Sequence, residues 1–189
     1  TALVYGWLFM QVPETIIGTA IATVLLPMLS EQVARGQDQA FRTTLNRTIR
    51  VLLALTIPSA LLLSLVIRPA VGILGFDSSG TEMVVWVARM FLVGIVGHSL
   101  LEIAARSFYA QQDARTPLIT AGLNTLLFIL LALLLGFRLG APGIALANSL
   151  AYTSQAVLLL YLLNRKYSGV LKVKGTLLRV GLGSLAGGV

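Results

Sequence analysis

The sequence predicts an all-α membrane protein, a bundle of helices that crosses the bilayer several times. Three observations predict it. Of the 189 residues, 57% are hydrophobic and only 11% charged. Apolar stretches long enough to span recur between polar loops, and Lys and Arg alternate in abundance from one loop to the next. Ordinary soluble domains carry about 25% charged residues, so the few present here cannot coat a water-soluble globule. An apolar surplus of this kind belongs in transmembrane spans. The composition therefore excludes a cytosolic enzyme domain and a nucleic-acid-binding domain, and it makes the lipid bilayer the first partner. Cysteine is absent, which removes disulfides, thiolate metal sites and cysteine nucleophiles. The single histidine, His98, leaves no zinc set. No metal and no cofactor is expected.

A spanning helix needs about 20 residues, and five stretches qualify. The first covers residues 2–30 with Glu14 as its only charge, and the second covers 48–67 and ends at Arg68-Pro69. After a loop containing Asp77, the third covers 82–105. The fourth covers 116–137, with Pro117 suited to a helix N-terminus, and the fifth covers 142–163. A sixth starts near residue 175. Lipid-exposed strands would need alternating polarity in a closed barrel. The run LLFILLALLLGF does not alternate, so these are helices.

Loop charges set the orientation. Arg35, Arg42, Arg47 and Arg50 lie in the first loop, Arg106 and Arg115 in the third, and Arg165, Lys166, Lys172 and Lys174 in the fifth. The second and fourth hold only Arg68 and Arg138. The odd loops are thus expected in the cytoplasm, and the net charge of +7 needs no anionic ligand. In the first loop, Phe41, Leu45, Thr48 and Ile49 recur at helical spacing. Two readings fit them: an amphipathic helix on the inner membrane surface, or a solvated linker obeying the positive-inside rule.

Ionisable groups at membrane depth are costly and face a cavity or a partner helix. In the first span, Gln11 and Glu14 lie on neighbouring positions of one face and flank Pro13, which removes a backbone hydrogen bond and kinks the helix. They are candidates to line a polar passage; the alternative is a kink satisfied by nearby side chains. Pro27 is expected to bend or end the same helix. In the third span, His98, Glu102 and Arg106 form one stripe at i, i+4 and i+8. His98 and Glu102 are candidates for a titrating pair in a transport cycle. The alternative, which the spacing favours, is a structural Glu102–Arg106 pair with His98 bonded to a neighbouring helix. Arg89, ~20 Å from Glu102 along the axis, is a cavity candidate or snorkels to the outer interface. Asn124, Asn148 and Gln155, with Gly143, Ala147 and Ala151 at four-residue intervals, read as packing glue between helices. No serine–histidine–aspartate set, HExxH or paired aspartate motif occurs, so no catalysis is expected.

The stretches QVPETIIGTAIATVLLPMLSEQVARG, IPSALLLSLVIRPAVGIL and RSFYAQQDARTPLITAGLN resemble segments of the MurJ (MviN) lipid II flippase family, in the multidrug/oligosaccharidyl-lipid/polysaccharide exporter superfamily. The likeness covers essentially the whole chain in consistent order. It implies a fourteen-helix protein of two lobes in the bacterial cytoplasmic membrane, with lobes rocking to give alternating access. Residues 1–167 would match helices eight to twelve of the C-terminal lobe, and residues 168–189 a cytoplasmic loop and the start of helix thirteen. The chain opens without methionine and stops inside an apolar stretch, so it is expected to be a piece of a longer protein whose N-terminal lobe is missing. The implied activity is flipping of a lipid-linked, polyprenyl-pyrophosphate sugar, lipid II, whose pyrophosphate calls for cavity arginines. Export of another polyprenyl-linked oligosaccharide and a non-transporting membrane scaffold are the alternatives. Family members carry an arginine and, three residues later, a glutamate shortly before the proline; Leu8 and Gln11 stand there in this sequence.

Overall fold

A computed structural model describes residues 2–167, and all of the regular structure in that range is helical. The sixth span and the charges Lys172 and Lys174 lie outside the described residues. The first span is α1 (Ala2–Pro13), a π-helical segment (Glu14–Thr19) and α2 (Ala20–Ala34). The second is α3 (Asp38–Gly72), the third α4 (Ser78–Val93) followed by α5 (Ile95–Tyr109), the fourth α6 (Arg115–Leu139) and the fifth α7 (Ala141–Lys166). Four of the five are long, apolar helices, and the α4–α5 pair completes the count as a span bent by 40°.

Three boundaries differ from the sequence reading. Pro27 does not end the first span, because α2 contains it and runs on to Ala34. Residues 38–50 form neither a helix lying flat on the membrane nor a linker. They are the first turns of α3, continuous with the second span over 35 residues. Their apolar stripe, Phe41, Leu45 and Ile49, is buried in a cluster with Leu25, Leu29, Phe108 and Leu163, so it faces protein and not headgroups. The third difference is the break at Gly94, which hydropathy does not register.

That break has a simple accounting. The Gly94 amide donates to Phe91 O at 2.9 Å, one residue short of the helical partner, which releases Met90 O. An unpaired carbonyl at membrane depth is expensive, and the Ser149 hydroxyl of α7 takes it, donating to Met90 O at 2.7 Å. The approach requires glycine. A Cβ on Gly94 would lie 2.6 Å from Ser149 Cα, and one on Gly97 would lie 2.7 Å from Thr153 Cα. Small residues let helices meet closely where apolar burial supplies no drive, since lipid is as apolar as leucine. The same device joins the fifth span to the fourth: a Cβ on Gly143 would meet Leu135 O at 2.2 Å.

The third span is therefore central, packed on the first, second and fifth, while α6 packs mainly on α7. Only Pro117 and Thr120 of α6 are buried. The caps outside the spans follow ordinary rules. Asp77 accepts from the Gly80 amide at 3.1 Å at the start of α4. Asp113 accepts from the Thr116 amide at 3.0 Å and the Thr116 hydroxyl at 2.8 Å at the start of α6. Hydrogen bonds to the charged form favour it: the Ser79 hydroxyl and Gly80 amide hold Asp77, and the Thr116 amide and hydroxyl hold Asp113, below the usual carboxylate range. Arg68 pairs with Glu82 between the second and third spans.

Candidate functional site

The polar residues singled out at membrane depth fall into separate places. Pro13 cannot donate to Phe9 O, and the backbone immediately after it widens into the π-helical segment Glu14–Thr19. Such segments are uncommon and concentrate at functional sites. Gln11 lies on the exposed side of the first span together with Thr15. Glu14 is half-buried, and among the described residues neither side chain has a hydrogen-bond or ion-pair partner. Gln11 and Glu14 are not joined to each other.

The stripe on α5 follows the structural alternative. Arg106 and Glu102 form an ion pair at 2.8 Å, each side chain 24% exposed. The other oxygen, Glu102 Oε2, accepts from the Thr19 hydroxyl at 3.2 Å, which ties the third span to the π-helical segment of the first. His98 has no contact with Glu102. It is buried, bonded through Nε2 to Asn148 Oδ1 at 3.1 Å, stacked on Tyr152 with centroids 4.1 Å apart, and met edge-on by Trp7. The titrating His98–Glu102 pair is thus not formed: the two side chains turn to different helices. Arg89 is partly buried, with Nη2 donating to Ser64 O of the second span at 3.4 Å. Gln155 donates to the Thr120 hydroxyl at 3.4 Å, in keeping with packing glue.

Sequence reading missed Thr19, Ser99 and Ser149. Ser149 was findable from Gly94 and Gly97, two glycines three apart in mid-span, which call for a close partner. Thr19 and Ser99 gave no signal, because their importance comes from Glu102 and Gly18 on the facing helix. Among the described residues no group of three or more His, Asp or Glu side chains converges.

The first span also differs from its neighbours in what it leaves uncovered. Val4, Leu8, Val12, Ile16, Val24 and Met28 are exposed, and Gln11, Thr15 and Thr23 are exposed among them. One side of the span is thus bare from end to end and carries polar groups. On α6 the bare side is Leu118, Leu126, Leu130, Leu133, Leu134 and Phe137.

Comparison with known proteins gives one answer. The family model described as Lipid II flippase MurJ matches residues 1–189. A probable lipid II flippase MurJ of Rhizobium meliloti (strain 1021) is 33% identical over 163 residues, 84% of this chain and 30% of the relative. One of Thermotoga maritima is 31% identical over 153 residues, 79% of this chain and 31% of the relative. The chain thus spans about a third of the length of these curated relatives. A solved structure described as lipid II flippase MurJ in an inward closed conformation superposes with a TM-score of 0.83 at 24% identity, over 98% of this chain and 39% of that one. At that identity the likeness establishes the fold: an all-α, multi-pass membrane bundle.

Proposed function

The chain belongs to the Lipid II flippase MurJ family, and on that premise we propose that the whole protein flips lipid II, a polyprenyl-pyrophosphate-linked peptidoglycan precursor, across the bacterial cytoplasmic membrane. The observation that carries this reading is the match of residues 1–189 to that one family model. The solved relative is described as inward closed, a state that belongs to an alternating-access cycle and so supports that mechanism. On this reading the protein makes and breaks no covalent bond; it lowers the barrier to moving a charged headgroup through hydrocarbon. Residues 2–167 are helices of the C-terminal lobe.

The uncovered side of the first span is what faces the cavity and the N-terminal lobe. Exposed Gln11 and Thr15 would be costly against lipid tails and are natural against water or a polar headgroup. Glu14 lies at the edge of that face, beside the kink at Pro13. Leu8 and Gln11 carry no charge where family members have arginine and glutamate, so cations for the pyrophosphate come from the N-terminal lobe. Orientation follows the loop charges, with Arg42 and Asp113 in the cytoplasm and Asp77 outside. An impermeant thiol reagent applied to intact cells should label a cysteine at position 77 and none at 42 or 113; the reverse pattern inverts the orientation.

The test of the activity uses the full-length protein. Expressed in cells depleted of their own flippase, it should restore the appearance of lipid II on the outer leaflet, read by an impermeant degrading enzyme. Glu14→Gln should lower that transfer while membrane abundance stays near normal. Unaltered transfer by Glu14→Gln removes Glu14 from the cavity, and no transfer by the unaltered protein overturns lipid II as substrate.

A further inference from the structure

Among the described residues, the buried apolar side chains gather into two clusters. One, towards the Asp77 end, includes Met10, Val84 and Phe91; the other, towards the Arg42 end, includes Leu25, Phe41 and Phe108. The level between them holds buried polar side chains, Thr56, His98, Ser99 and Ser149. Three spans interrupt their regular backbone there. The first turns π-helical over Glu14–Thr19, the second carries Pro58, which cannot donate to Ala54 O, and the third bends by 40° at Gly94. The packing divides at the same level: α1 packs on α4, and α2 packs on α5. The fifth span runs unbroken over Ala141–Lys166 and packs on both α4 and α5.

Two hydroxyls at this level differ in what they do. Ser149 is engaged, with Oγ donating to Met90 O at 2.7 Å and lying 3.3 Å from Phe91 O. Ser99 is fully buried and idle, because its hydroxyl has no hydrogen-bond partner. It stands against the π-helical segment, 3.2 Å from where a Cβ on Gly18 would lie. A buried hydroxyl without a partner is unfavourable, and the facing backbone can supply one. When a π-helical turn returns to α, each amide moves from the carbonyl five residues back to the one four back. One carbonyl of the turn is then left without its donor, as Met90 O is at Gly94.

We propose that the bundle is two half-bundles that pivot on each other at this level, the first and third spans changing their bends together. Ser149 holds the bend seen here by taking the Met90 carbonyl. Ser99 is the catch for the other position: it donates to the first-span carbonyl released as the π-helical turn tightens beside Gly18. The two apolar clusters move as units, since each is packed within its own half, and the unbroken fifth span is the strut against which both halves turn. This motion lies within one group of helices and is separate from any rocking of whole lobes.

The test is a set of spin-label distances in a cysteine-free version of the full-length protein, in lipid nanodiscs without lipid substrate. Labels go on exposed positions: Val4→Cys with Met83→Cys inside one half, Met28→Cys with Tyr109→Cys inside the other, and Met28→Cys with Met83→Cys across the pivot. The two pairs inside the halves should each give one distance, and the pair across should give two. Ser99→Ala, which removes only a hydroxyl, should lower the second population across the pivot about fivefold, the scale of one hydrogen bond. Ser149→Ala should raise it by a similar factor. Unchanged distances inside the halves show that both variants are folded. A single distance across the pivot in the unaltered protein overturns the proposal, as do Ser99→Ala populations equal to those of the unaltered protein. Broadening of all three pairs together also overturns it, because the bundle then loosens as a whole. Transport is not read, so the pivot and the lipid II reading can fail independently.

Discussion

The first and fourth spans both leave one side of a long apolar helix uncovered, and the two sides differ in chemistry. On α6 the bare side is leucine, isoleucine and phenylalanine, with Phe137 91% exposed. Its one exposed mid-span hydroxyl, Thr125, is spent on Ala121 O at 3.0 Å. On the first span the bare side carries Gln11 and Thr15 next to a proline and a π-helical segment. Lipid tails accept the first pattern and penalise the second. Exposure on a membrane helix thus has two meanings, and the polar content of the face tells them apart: on the reading proposed above, α6 meets lipid, and the first span meets the aqueous cavity and the other lobe.

The largest expected effect breaks the comparison most directly. Leu126→Lys, near the middle of α6, should cost about 3 kcal/mol, the scale of a lysine at the centre of a spanning helix. Gln11→Lys, at a face that the proposed cavity would bathe in water, should change stability by no more than about 0.5 kcal/mol. Unfolding of the full-length protein in lipid nanodiscs measures both; equal costs would erase the distinction. A second substitution asks whether the covered sides are held as described. Gly97→Val should cost about 2 kcal/mol, because its Cβ meets the Thr153 backbone and cannot be relieved by a rotamer change. If Gly97→Val unfolds like the unaltered protein, the third and fifth spans are not in contact there.

Much of this arrangement was legible in the sequence, because composition and period report on lipid and helix directly. Five spans, the Glu102–Arg106 pair and the disturbance after Pro13 all follow from spacing within one helix. His98 was expected to bond a neighbouring helix and does so through Asn148, although spacing could not say which helix. What escaped was set between helices. The run VARMFLVGIVGHSL stays apolar across Gly94, so its hydropathy is that of a straight span. The bend exists because Ser149 can take the released Met90 carbonyl. Likewise Phe41, Leu45 and Ile49 have the spacing of a surface helix, and only the cluster around Leu25 and Phe108 shows that protein, not membrane, covers them. For the site, Gln11 and Glu14 stood out by polarity, whereas Ser99 became notable only once Gly18 was seen to face it.

A smaller effect tests the start of α6, outside the membrane. Asp113→Ala removes the cap on Thr116 and should cost about 1 kcal/mol at neutral pH. The Thr116 hydrogen bonds lower the pKa of Asp113 in the folded protein. Its contribution is therefore complete above the unfolded pKa of about 3.9 and is lost as pH falls through the lower folded value. Denaturation curves of the two proteins should begin to converge below about pH 4 and stay apart from there up to neutrality. A gap that persists unchanged in acid would mean that Asp113 acts through something other than its charge.

The most direct measurement compares water access at the two bare faces. In a cysteine-free version of the full-length protein, Gln11→Cys and Leu126→Cys are each exposed to a small, water-soluble thiol reagent in membranes open on both sides. Position 11 should be modified at a rate within reach of a loop cysteine at position 113, and position 126 should stay unmodified, because thiols react as thiolates and need water. An unreactive cysteine at position 11, matching position 126, would contradict the cavity assignment and leave the first span as a kinked, lipid-facing helix.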